Sequence, residues 1–562
     1  MDLAKSAVLL ALVVILGVPF VFALSRAGET PPSDARSLTV ITPHNEQIRK
    51  EFARAFNEWH QTNHGQPVVI DWRQPGGTST IRKQLQSIYT AAIRDGKITP
   101  EGKLARADNG EPLYGTMPND IFFGGGSYEH GQMKNGVAAI PPDADEPVNI
   151  PISVPIDIDP NTLTAVFGEN AIGSTPLYDP DLYWIGTALS GFGIVYNRDV
   201  LNMLDLPEPE DWHDLTNPGY TGWIALADPR NSGSVTTTYD SILNIYGWEE
   251  GWKILKDMCA NARYFANTAT KIPIDVSIGE AAAGVAIDFY GRYQSQAFMT
   301  DAETPETARV GYSYPVRRQT DGTNTGAVLI DPDPVSILRG APDPQLARRF
   351  VDFLLSQEGQ SIWQYHAATK IENAQPGSQL KALPQIPAGF GPDEYELRRL
   401  PVRRDMYTAE HTRFFVDRDT NPFELAEPIP YRGWRSSIAP LMVAMAIANH
   451  NELVEAWEAL NQLRNAAETD PSLDQPLAEL ERTFYAFPTH TFPDDSQATD
   501  ADGIPLAGTT VTINGATFRP IRDEIWQGRT PQSRQRIDYL NFFKNNYNTV
   551  TKQARELLAG DP

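Results

Sequence analysis

Between Leu38 and Ser127 an apolar run breaks off three times into small polar residues, and helical spacing follows. Leu38-Thr39-Val40-Ile41 precedes a helical stripe of Ile48, Phe52, Phe56 and Trp59. Val68-Val69-Ile70-Asp71-Trp72 runs into Gly76-Gly77-Thr78-Ser79 and then Ile81, Leu85 and Ile88; Asp120-Ile121-Phe122-Phe123 enters Gly124-Gly125-Gly126-Ser127. Strand, loop, helix is the reading that satisfies both periods. The pattern recurs where Phe192-Gly193-Ile194-Val195-Tyr196 follows Ser190-Gly191, and where Gly284 to Asp288 leads into Phe289-Tyr290. Repeated units of this kind predict an α/β protein with a mostly parallel sheet covered on both faces. In such sheets ligands sit beyond the carboxyl ends of the strands, so several of these loops are candidates for one cleft.

The stretch ADPRNSGSVTTTYDSIL, from Ala227, follows Ile224-Ala225-Leu226 and continues with Val235, Tyr239, Ile242 and Tyr246 at helical spacing. Its loop residues Asn231, Ser232, Gly233 and Ser234 can cap a helix, or leave its first N–H groups free for an anionic ligand. His44 and Asn45 read either as a turn or N-cap before the first helix or as ligand contacts, Gly124 to Gly126 as a tight turn or an anion nest, and Tyr290 as a packed aromatic or a contact.

The 562 residues exceed what one hydrophobic core serves, so at least two domains are expected. The net charge of -24 argues against nucleic acid as a partner. Ala7 to Leu24 carries no charge and is flanked by Lys5 and Arg26, the form of a signal peptide or a membrane anchor. Residues 25–37, with Pro31-Pro32, read as a linker. One cysteine, Cys259, rules out an intramolecular disulfide; its helical spacing from Trp252 and Leu255 makes it a small buried hydrophobe. Pro-rich passages lie at Pro141-Pro142, at Pro151 to Pro160 and at Asp331-Pro332-Asp333-Pro334. Beyond about Ala374 the texture changes to Pro- and Arg-rich loops and helices, one of them holding Leu441, Met445, Leu453 and Trp457. The cluster Leu397-Arg398-Arg399-Leu400-Pro401-Val402-Arg403-Arg404 reads as a solvated or salt-bridged loop rather than a binding patch.

ADPRNSGSVTTTYDSILNIYG, EEGWKILKDMCANARYF and GEAAAGVAIDFYGRY, with LTVITPHNEQIRKEFARAF and PNDIFFGGG before them, resemble in order and spacing the bacterial family 1 extracellular solute-binding proteins, the iron(III) type above all. The likeness runs from about Leu38 to Gln364. It implies a two-lobed periplasmic-binding-protein type II fold, here with a long, mainly helical C-terminal extension. Lobe 1 is then expected at 38–190 with a return at 311–373, lobe 2 at 191–310, and the extension at 374–562, after a leader over 1–24. It also implies a cleft that closes on its ligand and an ABC-transporter permease as partner, in the periplasm or at the outer face of the inner membrane. Ser232, Gly233 and Ser234 match the family's anion-holding helix start, and Asn267 lies near a second anion contact. The ligand-binding set implied is His44, Asn45, Gly77, Thr78, Ser79, Gly125, Gly126, Ser127, Ser190, Ser232, Gly233, Ser234, Asn267, Asp288 and Tyr290. Ferric iron with a synergistic anion is a candidate cargo, with His44 and Tyr290 as metal ligands. The pattern departs from the family there: Asn45 falls in register instead of His44, Gly125 occupies a glutamate position, and Phe289 replaces the first of two tyrosines. Ferric iron favours anionic oxygen ligands, so these losses thin the cage.

A rival class is an enzyme on the same scaffold. The chain has no H-E-x-x-H, no G-x-S-x-G and no phosphate loop ending in Gly-Lys-Ser/Thr, so a non-catalytic carrier is expected. A third class is a tethered sensor or scaffold whose C-terminal part binds another protein.

Overall fold

A computed structural model describes residues 35–142, 144–298, 307–319, 321–525 and 529–560, the side chains of 298 and 529–532 excepted. The expected leader and most of the linker lie outside the described residues, within which no helix is long and apolar enough to cross a membrane.

The early units form as read. Strand β1 (Arg36–Ile41) leads to helix α1 (Glu46–His64), β2 (Val68–Arg73) to α2 (Thr78–Arg94), and β3 (Ile121–Phe123) to α3 (Ser127–Asn135). β1 pairs in parallel with β2 and β3. Each helix buries the apolar stripe of its sequence, Ile48, Phe52 and Phe56 in α1 and Ile81 and Leu85 in α2.

The sequence breaks at Ser190-Gly191, but the chain does not. Strand β4 runs unbroken over Ile185–Asn197, 13 residues all buried. Beyond it come β5 (Ile224–Ala227), α4 (Gly233–Tyr246), α5 (Trp248–Ala260), β6 (Ala262–Ala266), β7 (Ala283–Ile287) and α6 (Asp288–Phe298). The return is made by β8 (Val310–Ser313) and β9 (Ile330–Leu338), followed by α7 (Pro344–Leu355). The first half of β4, to Gly191, pairs antiparallel with β9; from Phe192 onward it pairs antiparallel with β7, and Ile194 to Asn197 also pair with β8. One strand is thus shared by two sheets, ordered β2-β1-β3-β9-β4 and β4-β7-β5-β6. The two lobes meet along β4 and along the return through β8 and β9. The sheet is mixed rather than mostly parallel because these crossing strands run against their neighbours.

β9 includes Pro332 and Pro334, which donate no ladder hydrogen bond and ordinarily mark an edge. Here the register shifts between Asp333 and Pro334, and the bulge admits them to a central strand. The alternation of the strand then sends Asp331 and Asp333 to one face.

The region after 374 is mainly helical. Strand β10 (Leu400–Pro401) pairs with Leu189 and Ala188 of β4, and α8 (Arg435–Met442), α9 (His450–Ala467), α10 (Asp474–Tyr485) and α11 (Arg529–Ala559) follow. Residues of α8 to α11 share one apolar core with α4, α5 and β5 of lobe 2, with Trp457, Phe484, Phe543 and Tyr547 packed together with Trp252 and Leu255. Cys259 is fully buried there, and burial pushes its thiol well above the usual range. Lys256 of α5 enters this core, its amine bonded to the Phe484 carbonyl at 2.6 Å and ringed by Phe543, Phe484 and Tyr547 within 5.1, 5.4 and 5.7 Å.

Candidate functional site

A cleft of about 220 Å³ lies where the strand ends of both lobes converge. That is room for a small solute, not for a polymer. Lobe 1 supplies Pro43, His44, Gln74, Gly76, Gly77, Thr78, Gly125 and Gly126; lobe 2 supplies Asn231, Ser232, Gly233, Ser234, Thr237, Thr268, Thr270, Ile287, Phe289 and Tyr290. Ser190, Phe192 and Asp331 line it from the crossing strands, and Arg399 from the region after 374.

Two helix starts face each other across it. α2 begins after Gly77, which caps with no side chain, and α4 begins after Ser232, whose hydroxyl accepts from the Val235 N–H at 3.4 Å. First-turn N–H groups have no acceptor inside their own helix, and the dipole makes that end positive. The lobes approach each other closely here: a Cβ on Gly77 would stand 2.8 Å from the Asn231 carbonyl oxygen, so glycine is what lets α2 approach the loop before α4. Lys83 of α2 donates to the Arg230 carbonyl at 3.3 Å across the same gap.

The third glycine loop is used differently. Gly124 and Gly125 have φ of 95° and 111°, a left-handed region that side chains avoid. The turn aims its N–H groups at β9: Gly125 donates to the Asp333 carboxylate, and Ser127 donates to Asp331 through its N–H at 3.2 Å and its hydroxyl at 2.6 Å. The anion held at the start of α3 is therefore the protein's own. Burial pushes the Asp331 carboxyl up to about 6, against the pull of Ser127 and Arg435.

His44 Nε2 lies 2.8 Å from Asp333 Oδ2 and 3.0 Å from Arg399 Nη1, and Arg399 also pairs with Asp333. Burial keeps the His44 imidazole below its ordinary value, with Asp333 opposing. Burial also works against ionisation of Asp333, but the Arg399 charge, with the His44 contact beside it, overcomes that and holds the carboxyl low. The Tyr290 hydroxyl is pushed up to about 12 by burial.

Of the residues singled out from sequence, His44, Gly77, Thr78, Gly125, Gly126, Ser190, Ser232, Gly233, Ser234 and Tyr290 line the cleft. Asn45, Ser79, Ser127, Asn267 and Asp288 do not. Asn45 caps α1 by accepting from the Ile48 N–H at 3.1 Å, and Ser79 donates to Glu129 at 3.1 Å. Ser127 is spent on Asp331. Asp288 is fully buried among the N–H groups of Gly191 and Phe289, the Tyr314 hydroxyl and Arg292. Asn267 is exposed and accepts from Asn231 at 3.4 Å, one position short of the cleft-lining Thr268. Among the described residues no three His, Cys, Asp or Glu side chains are placed to hold a metal, and of the proposed pair His44 is engaged by Asp333 and Arg399.

Arg399 was the largest omission. The run around it is salt-bridged, Arg398 to Asp417 and Arg403 to Asp405, but Arg399 itself is buried in the cleft wall. The signal lay in its apolar frame, Leu397, Leu400 and Val402, all buried and unlike a solvated loop.

Residues 157–395 match the family model for bacterial extracellular solute-binding protein. Three of the five segments that carry the resemblance, those beginning at Ala227, Glu249 and Gly279, lie within that match. Curated relatives include the phosphoglycerate transport regulatory protein PgtC of Salmonella typhimurium, 28% identical over 178 residues, 32% of this chain and 40% of that protein. An uncharacterized protein of Haemophilus influenzae is 27% identical over 209 residues, 37% of this chain and 53% of that one. The chain thus matches about half or less of these relatives' length. Similar solved structures include the periplasmic binding protein AfuA of Actinobacillus pleuropneumoniae with exogenous fructose-6-phosphate bound, 15% identical, covering 76% of this chain and 98% of that one at a TM-score of 0.45. Another is the ferric binding protein of Campylobacter jejuni, 15% identical, covering 74% and 98% at a TM-score of 0.43.

Proposed function

We propose that the protein is the extracytoplasmic solute-binding component of an ABC importer, closing two lobes on a small oxyanion-bearing solute and presenting it to a membrane permease. The observation that carries this reading is the meeting of two helix N-termini, α2 from lobe 1 and α4 from lobe 2, on one cleft. N–H groups held this way bind an anion without reorganising, and separating the lobes returns the anion to water. The loop Ser232-Gly233-Ser234 is the part of the clamp on lobe 2, and Gly77 and Thr78 the part on lobe 1. A phosphorylated solute is favoured over ferric iron: the name of the Salmonella relative points to phosphoglycerate, while Arg399 sets a fixed cation beside His44.

That relative's name also favours a second reading, a sensor that reports the solute to a regulatory partner through the region after 374. Both readings begin with reversible binding and differ from an enzyme in showing no turnover.

The experiment is a thermal-shift and calorimetric panel of inorganic phosphate, 3-phosphoglycerate, fructose 6-phosphate, citrate and ferric citrate. Saturable stabilisation by an oxyanion, worth about 2.7 kcal/mol at a hundredfold excess over Kd, with the ligand recovered unchanged, is expected. No saturable shift with any oxyanion, or conversion of the ligand, contradicts the reading.

A further inference from the structure

Arg399 belongs to none of the elements that build the two lobes. It lies four residues past the segment matching the family model, and β10 carries it in by pairing Leu400 with Leu189 of the shared strand. Its side chain is 5% exposed and rests on Phe289 at 4.4 Å and Trp363 at 5.6 Å, so its position is fixed by packing.

A guanidinium carries five N–H donors. Nη1 is spent on Asp333 and His44, and Nη2 gives one bond to the Ser190 hydroxyl at 2.9 Å. Nε is buried and has no partner, and Nη2 keeps a second proton for which no acceptor is present among the described residues. Proteins leave few buried donors unmet, because each such group has lost its water for nothing. One neighbour in the same wall is also unpartnered: His44 Nδ1 is buried and has no hydrogen-bond partner among the described residues. Neutralising Asp333 needs a single cationic point, which lysine supplies as well. A stacked planar fork with unspent donors suits a group with two oxygens in one plane.

We propose that Arg399 is a ligand-binding residue contributed by the region after 395, and that it holds a carboxylate or phosphate oxygen pair of the solute. The proposal rests on the reading that the cleft takes an oxyanion-bearing solute. The helix starts of α2 and α4 and the fork of Arg399 then grip the solute from different sides, so an anion with two oxygen-rich ends, such as a phosphorylated hydroxy acid, is the class that satisfies all of them. Binding there also ties the later region to the lobes, since the adjacent Arg398 pairs with Asp417 and donates to the Arg292 carbonyl of α6 at 2.8 Å.

The test is calorimetric titration of inorganic phosphate, 3-phosphoglycerate and citrate into the full chain and its R399K and R399Q variants. Phosphate and citrate separate the phosphoryl and carboxylate sources, and 3-phosphoglycerate joins them. Wild type is expected to bind 3-phosphoglycerate most tightly, R399K at least tenfold more weakly despite keeping the charge, and R399Q at least thirtyfold more weakly. Circular dichroism checks the fold of each variant. If R399Q does not fold, R399K and S190A, which frees Nη2, carry the test, the latter with an expected three- to tenfold loss. Wild type binding none of the probes overturns the cleft reading and this proposal together. Wild type binding a probe that folded R399K, and S190A where it is used, hold within threefold of it overturns this proposal alone.

Discussion

The guanidinium of Arg435 lies 4.4 Å from the centroid of the Tyr128 ring while donating to the Gly233 carbonyl at 3.0 Å and the Thr237 hydroxyl at 2.8 Å. Tyr128 belongs to α3 of lobe 1, Gly233 and Thr237 to α4 of lobe 2, and Arg435 to α8, so one side chain joins three parts of the chain. Asp417 makes a similar link, pairing with Arg292 of α6 at 3.4 Å and accepting from Gln364 at 3.1 Å. The region after 374 therefore bridges both lobes rather than trailing behind one.

Replacing Arg435 by alanine removes two charge-assisted hydrogen bonds and leaves the buried Asp240, whose Oδ1 already lacks a partner, without its nearby cation. A loss of about 2 kcal/mol in urea unfolding is expected. Spin labels on α1 and α5 are expected to report a broader distance distribution in the variant than in wild type.

Trp457 is buried in the core that α9 shares with α5, and its Nε1 donates to the Asn261 side chain at 2.9 Å. Truncation to alanine is expected to cost about 3–5 kcal/mol. Because the core is shared, calorimetry on the variant is expected to show lobe 2 and the helical region melting together at lower temperature, rather than the helical region alone.

The Asp331 carboxyl lines the cleft with its pKa raised to about 6 from an ordinary 3.8. The folded state therefore binds the extra proton between those values, and this group's contribution to stability is present below the unfolded value and falls as pH rises toward 6. For an anion in the cleft the same proton removes a repelling charge. Affinity for 3-phosphoglycerate is expected to rise roughly three- to tenfold from pH 7.5 to 5.5 in wild type, relative to D331N measured alongside. The ratio cancels the titration of the ligand itself. A ratio constant with pH contradicts a carboxylate facing the anion.

The β-α units of lobe 1 were legible because their signal is local: the apolar stripe of α1 or α2 and the loop before it lie within one short window. The loop that caps α4 was legible for the same reason, and so were ten of the residues lining the cleft. The first half of the shared strand β4 is hidden by Ser190-Gly191, since small residues usually end a strand, whereas here Gly191 sits where a Cβ would meet the Tyr314 ring at 2.6 Å. Asp331 and Asp333 were hidden by Pro332 and Pro334, which argue against a central strand until the bulge is seen. Arg399 meets His44 across 355 positions, a separation no periodicity reports, and charge runs are usually solvated.

The proposed anion is held between the starts of α2 and α4, and Ser234 tests this most directly because it lines the cleft without building the core. Titration of 3-phosphoglycerate into wild type and S234L should give saturable heat for wild type and at least a tenfold weaker Kd for the variant, with both chains unfolding at the same temperature when ligand-free. Equal affinity in the two folded proteins contradicts the account.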